Sequence, residues 1–239
     1  MSAYKHQGHV SLVVGATGSI GAIITQHMAD SDAIVYATAL HNCQKLNDLH
    51  EQKPAVRPLC PFNMGAADHR QAALDRIDQD QGHLDSLILA VGAFSQVTPE
   101  QTDGDELFHL YHSNVIMPYQ LILEAKSLLV ASRAPRVVLF GYHDMEHFGP
   151  RRLVAGYAAA KASLLIMIRS LAVTWSREHN ISMVMVAPGL ISGEPETGGD
   201  SVPVTRREDI IQAIDTVLSA KGMLLSGQVL PAWKAHRNA

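Results

Sequence analysis

The sequence predicts an α/β protein: a doubly wound parallel sheet with helices on both faces, in one domain. Short apolar runs alternate with helical patterns along the whole chain. Most of these runs are continuously apolar, as expected of parallel strands that are buried on both faces. No linker, internal repeat or low-complexity segment interrupts the 239 residues, a length that suits one large domain.

The composition limits the classes of function. The chain is 47% apolar and 18% charged, with a net charge of −4, which fits a globular core and offers no basic surface for nucleic acid. The longest apolar run, residues 162–173, is shorter than a bilayer requires, and the first residues lack an apolar signal core. Two cysteines, Cys43 and Cys60, argue against a disulfide framework. We therefore expect a cytoplasmic protein with no membrane or nucleic-acid partner.

A glycine turn joins the first predicted strand, residues 10–14, to the first predicted helix. In such a turn, backbone N–H groups face a pyrophosphate at the positive end of a helix. The spacing is G-x-x-G-x-x-G rather than G-x-G-x-x-G, so a purely structural turn is the alternative. The predicted dinucleotide contacts in this turn are Gly15, Thr17, Gly18, Ser19, Ile20 and Gly21.

The second predicted strand, residues 33–38, bears on the choice of cofactor. Many nucleotide-binding folds place an acid after this strand for the ribose hydroxyls, but this chain has Ala39, Leu40 and His41. No carboxylate there would repel a 2′-phosphate, and a protonated His41 could contact one. The pattern favours NADP(H) over NAD(H), although no arginine supports it.

The remaining elements continue the alternation. The predicted strands are residues 56–59, 84–91, 136–140, 181–186 and 228–230, and the predicted helices are residues 45–51, 66–80, 102–131, 157–178 and 206–220. Asn114 followed by Pro118 predicts a kink or an opened backbone hydrogen bond in the long helical stretch. Residues 190–205 are polar and rich in Gly and Pro, which predicts a substrate lid.

Several of these features follow strands, so they should meet at one edge of the sheet. They are the Gly15 turn, Gly92, the loop after Phe140, and Pro188-Gly189. Tyr157 and Lys161 lie four residues apart on a predicted helix, so both side chains can point the same way. A nearby ammonium lowers the pKa of a phenol, which makes the pair a candidate acid/base device. An ordinary amphipathic helix is the alternative.

Taken in order, these motifs resemble the short-chain dehydrogenase/reductase family over essentially the whole chain. The matching motifs are Gly15-x-x-x-Ser19-Ile20-Gly21, Gly92, Asn114, Tyr157-x-x-x-Lys161 and Pro188-Gly189-Leu190-Ile191. The resemblance implies one Rossmann-type NAD(P)-binding domain over residues 1–239, and hydride transfer between a nicotinamide and the C=O or C=N of a small molecule. It also implies a homodimer or homotetramer.

The resemblance assigns roles to individual residues. Tyr157 would be the general acid or base, Lys161 would bind the nicotinamide ribose, and Asn114 would hold a water in a proton relay. Further cofactor contacts would be Asn63, Val91, Gly92, Lys161, Pro188, Gly189 and Ile191. Substrate contacts would be Phe94, Tyr142 and Leu190.

The chain departs from the family pattern at the active-site serine, since no serine lies between Ser132 and Tyr157. Asp144 lies at the family's usual separation, thirteen residues before Tyr157, whereas alignment on the strand puts Tyr142 or His143 there. An aspartate in this place resembles the pteridine reductases, which also stack a pterin on an aromatic residue at the position of Phe94. Those enzymes carry a basic residue in the glycine turn, which this chain lacks.

Two alternatives remain. The missing serine and the sequence Leu89-Ala90-Val91-Gly92, in place of the family's N-N-A-G, support a non-catalytic dinucleotide-binding sensor or partner protein. The retained Tyr157, Lys161 and Asn114 oppose it. His143 and His147, with Asp144 and Glu146, suggest a metal, but no third ligand is evident in this loop, and we expect no metal site.

Overall fold

The computed structural model describes residues 6–147, 153–191 and 202–233. Its strands are β1 (Val10–Val14), β2 (Ile34–Thr38), β3 (Val56–Leu59), β4 (Ser86–Leu89), β5 (Arg136–Phe140), β6 (Ser182–Ala187), β7 (Leu190–Ile191), β8 (Val204–Thr205) and β9 (Val229–Pro231). Seven strands form one parallel sheet in the order β3-β2-β1-β4-β5-β6-β9. The predicted α/β class and parallel sheet are confirmed.

The helices cover both faces of this sheet. They are α1 (Ser19–Asp30), α2 (Cys43–Gln52), α3 (Ala67–Gln81), α4 (Gly104–Tyr111), α5 (Met117–Glu124), α6 (Lys126–Val130), α7 (Ala155–His179) and α8 (Arg207–Leu218). Side chains alternate along each strand, so β1 sends Leu12 and Val14 into one core and Val13 into the other. The first core contains residues of α3, α5 and α7, and the second contains residues of α1, α2 and α8.

The long helical stretch predicted at residues 102–131 is divided. A π-helical turn, His112–Ile116, separates α4 from α5, and Pro118 lies in the first turn of α5. Proline has no N–H to donate, so a widened turn before it accommodates the lost hydrogen bond. The predicted opening of the backbone around Asn114 is confirmed.

The helix α7 is the only one in the described part of the chain that is long and apolar enough to cross a bilayer, judged by length and composition. Its 25 residues extend beyond the apolar run noted in the sequence, which alone is too short. In this fold α7 packs against β6 and the π-helical turn, with Leu164, Leu165 and Ile168 in the core.

The structure joins Cys43 and Cys60 in a disulfide, which corrects the expectation from the cysteine count. Cys43 begins α2 and Cys60 follows β3, 17 residues later in sequence. Because β2 and β3 are parallel neighbours, the segments that follow them lie side by side. A backbone hydrogen bond of 2.8 Å from Phe62 N to the Ala39 carbonyl oxygen joins the same two segments.

Candidate active site

The glycine turn lies between the carboxyl ends of β1 and β4. Gly15 has φ of 82°, and a Cβ at this position would lie 2.5 Å from the Ala90 carbonyl oxygen and from Val91 Cγ1, so only glycine fits. Gly18 is the N-cap residue of α1 and has no side chain to cap the first N–H groups. The first turn of α1 carries no acidic residue. This helix end is therefore suited to an anionic group such as a pyrophosphate.

A lysine that the sequence analysis missed lies beside this turn. Lys45 Nζ donates to the Thr17 carbonyl oxygen at 3.3 Å, and both Lys45 and the predicted His41 are exposed. Lys45 belongs to α2, so only the packing of α2 beside the turn reveals its position. Its sole signal in the sequence is its place four residues after His41.

Asn63, a predicted cofactor contact, closes a turn after β3. Its Oδ1 accepts a hydrogen bond from Gly65 N at 2.9 Å, and its backbone N–H donates to His69 Nδ1 at 3.0 Å. The residue is exposed at the same edge as the glycine turn. Its side chain therefore organises the loop that would border an adenine ring.

Asn114 is completely buried in the π-helical turn. Its Nδ2 donates to the carbonyl oxygens of Ala93 at 2.8 Å and Leu110 at 3.0 Å. Its Oδ1 is buried and has no hydrogen-bond partner. A buried acceptor without a donor is costly, which marks this atom as a place for a ligand or a water.

Gly92 brings Asn114 and Lys161 together. It has φ of 142°, and a Cβ there would overlap Asn114 Oδ1 and lie 3.3 Å from Lys161 Nζ. Any other residue would displace both groups. Ser113, a buried residue that the sequence analysis also missed, supports this arrangement, because its hydroxyl accepts from Ala93 N at 3.2 Å.

Tyr157 and Lys161 lie in the first half of α7 as predicted, with Lys161 Nζ 5.7 Å from the centre of the Tyr157 ring. Burial lowers the pKa of the Lys161 ammonium to about 8. Burial also raises the pKa of Tyr157 well above its ordinary value, and Tyr142 raises it further. The expectation that Lys161 lowers the pKa of Tyr157 is thus wrong in this structure, because desolvation disfavours both charged forms.

Two aromatic residues flank Tyr157. The Phe94 ring meets it edge-on with centres 5.1 Å apart, and the Tyr142 ring is tilted against it at 5.8 Å. Phe94 is 55% exposed, unlike an aromatic residue of the core. Of the candidates for the place of the missing serine, Tyr142 is the one whose ring contacts Tyr157.

The loop of the predicted Asp144 has a different arrangement. Asp144 adopts a left-handed backbone with φ of 61°, and its carboxylate contacts the His147 ring. Glu146 pairs with Arg169, and the His143 ring packs against Trp233. Of the four side chains that suggested a metal in this loop, Asp144 and His147 contact each other, whereas Glu146 and His143 have partners outside the loop.

The two ends of the predicted lid, residues 190–205, lie side by side. Leu190 and Ile191 in β7 pair with Val204 and Thr205 in β8, and residues 192–201 of the lid lie outside the described residues. The Thr205 hydroxyl accepts from Gly189 N at 2.7 Å and donates to the Ala232 carbonyl oxygen at 2.8 Å. Pro188 is buried, so the lid starts from a fixed point just after β6.

An open cavity of about 470 Å³ borders the segment that follows Phe94. An isolated parallel bridge between Val97 and Val154 joins this segment to the start of α7, three residues before Tyr157. The cavity has an acidic lining formed by Asp103, Asp105 and Glu106, together with Ser95, Val97 and Gln101.

These features fit a dinucleotide. The glycine turn and the uncapped α1 suit a pyrophosphate, and the unpartnered Asn114 Oδ1 beside Lys161 marks the far end of the same edge. A family model described as enoyl-(acyl carrier protein) reductase, one of the short-chain dehydrogenase/reductase models, matches residues 15–218. The chain belongs to the short-chain dehydrogenase/reductase family. It is therefore an oxidoreductase of the kind that binds a nicotinamide dinucleotide.

Individual relatives are distant. A 2-dehydro-3-deoxy-D-gluconate 5-dehydrogenase from Formosa agariphila is 22% identical over 186 residues, which are 77% of this chain and 69% of the relative. A short chain dehydrogenase from Burkholderia cenocepacia, solved in complex with NADP, superposes with a TM-score of 0.83 at 21% identity, covering 95% of this chain and 97% of that one. A dehydrogenase/reductase from Sinorhizobium meliloti superposes with a TM-score of 0.81 at 19% identity, covering 96% of this chain and 95% of that one. At these identities the two structures show the fold alone.

Proposed function

We propose that this protein is an NADP(H)-dependent reductase that acts on a C=O or C=N group of a small molecule, with Tyr157 as the proton donor. The observation that carries this proposal is the half-buried Tyr157 phenol between Phe94 and Tyr142, close to Lys161. When bound, the nicotinamide would supply the hydride.

The protonation state of Tyr157 favours reduction over oxidation. Because its pKa is raised, the phenol keeps its proton at neutral pH and can donate it to the oxygen or nitrogen that becomes negative as the hydride arrives. Lys161, with a pKa of about 8, is mostly an ammonium at neutral pH and stabilises the negative charge left on the phenol. Lys161 would then give a proton to the Tyr157 phenolate, and a water that donates to Asn114 Oδ1 would return one to Lys161.

Lys45 supports the choice of NADP(H). Its ammonium donates to the Thr17 carbonyl beside the glycine turn, and with His41 it would hold a 2′-phosphate on the adenosine ribose. Lys45→Ala should weaken NADPH binding at least about tenfold and leave NADH binding unchanged, since a charge-assisted contact is worth roughly 1.5–3 kcal/mol. Lys53→Ala is the matched control, because Lys53 lies at the other end of α2 and pairs with Asp30. Equal losses for both cofactors would contradict the NADP(H) proposal.

Phe94 bears on the class of substrate. Its ring is 55% exposed beside Tyr157 and offers a face on which a planar ring can stack. A pterin-like substrate fits Phe94. Asp144, the other residue that suggested a pterin, contacts His147 instead.

The substrate class can be tested with a panel of neutral ketones, dihydropterins and sugar acids, each supplied with NADPH and with NADH. Turnover of a neutral carbonyl or a pterin with NADPH is the expected result. Binding of NADPH without turnover on any member would instead support the non-catalytic alternative, and preference for the sugar acid would contradict stacking of a planar substrate on Phe94.

The oligomeric state forms part of the same proposal. Large apolar side chains are exposed on α4, α5 and α7, the helices that carry or flank Asn114 and Tyr157; among them are Phe108, Leu123, Ile166 and Val173. Such a set of exposed apolar residues suits a self-association surface. Light scattering should give a dimer or tetramer for the wild type and smaller species for Ile166→Asp; a monomeric wild type would contradict it.

A further inference from the structure

Three potential metal ligands meet at the edge of the sheet opposite the active site. His6 precedes β1, His27 lies near the end of α1, and Asp215 lies in α8. His6 Nε2 is 3.0 Å and His27 Nε2 is 2.7 Å from the same oxygen, Asp215 Oδ1. The three donor atoms all lie within 4.8 Å of one another.

We propose that His6, His27 and Asp215 form a binding site for one divalent transition-metal ion, with zinc as the class of ion that this donor set suits. Two imidazole nitrogens and one carboxylate oxygen are ligands that zinc prefers, and a water would complete four-coordination. With bonds of about 2.0–2.1 Å, ligand atoms of a tetrahedral site lie roughly 3.4 Å apart. His6 Nε2 and His27 Nε2, at 3.0 and 2.7 Å from Asp215 Oδ1, therefore need to move away from it by only roughly 0.4 and 0.7 Å to admit the ion.

The arrangement of the donor atoms favours a cation. Both imidazole Nε2 atoms lie beside one carboxylate oxygen, Asp215 Oδ1. The side chain of His6 is completely buried, whereas those of His27 and Asp215 are 12% and 25% exposed. The site is thus anchored on one side and open to solvent on the other, which gives an ion a path of entry.

The consequence for the fold is a link between three segments that are far apart in sequence. His6 and Asp215 are separated by 209 residues, and His27 and Asp215 by 188. An ion bound to all three would join the segment before β1 to α1 and α8. The sequence analysis considered a metal only in the loop of His143 and His147, because no local spacing connects these three residues.

The test uses the full chain without a polyhistidine tag, stripped with a chelator and titrated with Co²⁺. We expect one equivalent to bind with the visible absorption of tetrahedral cobalt, Zn²⁺ to displace it, and Zn²⁺ to raise the Tm. Asp215→Asn and His27→Gln should each weaken Co²⁺ binding by at least about tenfold. The matched control is His83→Gln, since His83 lies at the same edge and pairs with Asp85 at 3.3 Å, outside the cluster.

Two results would overturn the proposal. One is a wild-type protein that takes up no stoichiometric Co²⁺ or gives only the weak spectrum of an octahedral ion, which needs no variant to interpret. The other is unchanged affinity in the folded Asp215→Asn and His27→Gln proteins, which would leave a hydrogen-bonded cluster that binds no metal. Circular dichroism of each variant establishes that it is folded.

Discussion

The starts of β1 and β4 differ from the carboxyl edge of the sheet in how their buried polar groups are paired. At the amino edge, Asp85 accepts from Val10 N at 2.9 Å and from the Ser132 hydroxyl at 2.5 Å, and Ser11 and Ser86 share a hydrogen bond of 2.6 Å. At the carboxyl edge, Asn114 Oδ1 and Thr38 Oγ1 are buried without a hydrogen-bond partner.

This difference indicates that polar groups stabilise the fold at the amino edge and are available to a ligand at the carboxyl edge. Paired polar groups at the amino edge fix the starts of the strands. Unpaired groups at the carboxyl edge lower the stability of the free protein, a cost that proteins commonly bear at functional sites. Changes at the amino edge should therefore destabilise the protein, whereas removing a polar group at the carboxyl edge should stabilise it and abolish activity.

The largest effect on stability is expected at Arg136, at the start of β5. Its guanidinium is buried and donates to the carbonyl oxygens of Val217 at 3.1 Å and Ser219 at 3.3 Å, at the negative end of α8. Arg136→Met should lower the free energy of unfolding by about 2–4 kcal/mol, because it leaves these acceptors unpaired. Urea denaturation measures this, with the exposed Arg133→Met as control. Equal stability of the two variants would contradict the comparison.

The next effect concerns the disulfide, which links the two loops that follow β2 and β3 at the carboxyl edge. The double variant Cys43→Ser/Cys60→Ser should be less stable than the oxidised wild type by about 2–3 kcal/mol, from the loss of a cross-link that closes a loop of this length. Denaturation with and without a reductant measures it. The wild type should respond to reductant and the double variant should not; a wild type indifferent to reductant would show that this link does not form.

The smallest expected effect is a gain in stability, on removal of the buried Lys161 ammonium. Burial of the Lys161 ammonium lowers its pKa to about 8, so the folded state loses this proton at a lower pH than the unfolded state does. Below pH 8 the charge is buried at a cost, and stability rises as the pH increases from 8 toward the unfolded pKa near 10.5. Lys161→Met should gain roughly 1–3 kcal/mol at pH 7.

Thermal denaturation of Lys161→Met and of the wild type at pH 7 and at pH 9.5 measures this effect. The advantage of the variant should shrink at the higher pH. Lys126→Met, at a partly exposed lysine over the Trp175 ring, controls for the loss of a charge that is not fully buried. A variant less stable than the wild type at pH 7 would show that Lys161 is not a source of instability.

The sequence predicts those parts of the site that depend on local pattern. The glycine turn, the spacing of Tyr157 and Lys161, and the opened helix at Asn114 and Pro118 are each visible within a few residues. Lys45, the pairing of Cys43 with Cys60, and the meeting of His6 with Asp215 are not, because packing alone brings these residues together. The orientation of Asp144 toward His147 was likewise beyond prediction, since the left-handed backbone of a loop residue decides it.

The central claim is that Tyr157 donates the proton, and the most direct test is the Tyr157→Phe variant with NADPH and the best neutral substrate of the panel. Tyr157→Phe keeps the ring between Phe94 and Tyr142 and removes only the hydroxyl. We predict that kcat falls by about 10²–10⁴-fold while the Kd for NADPH stays within about twofold of the wild type. A variant that retains the kcat of the wild type would contradict the account.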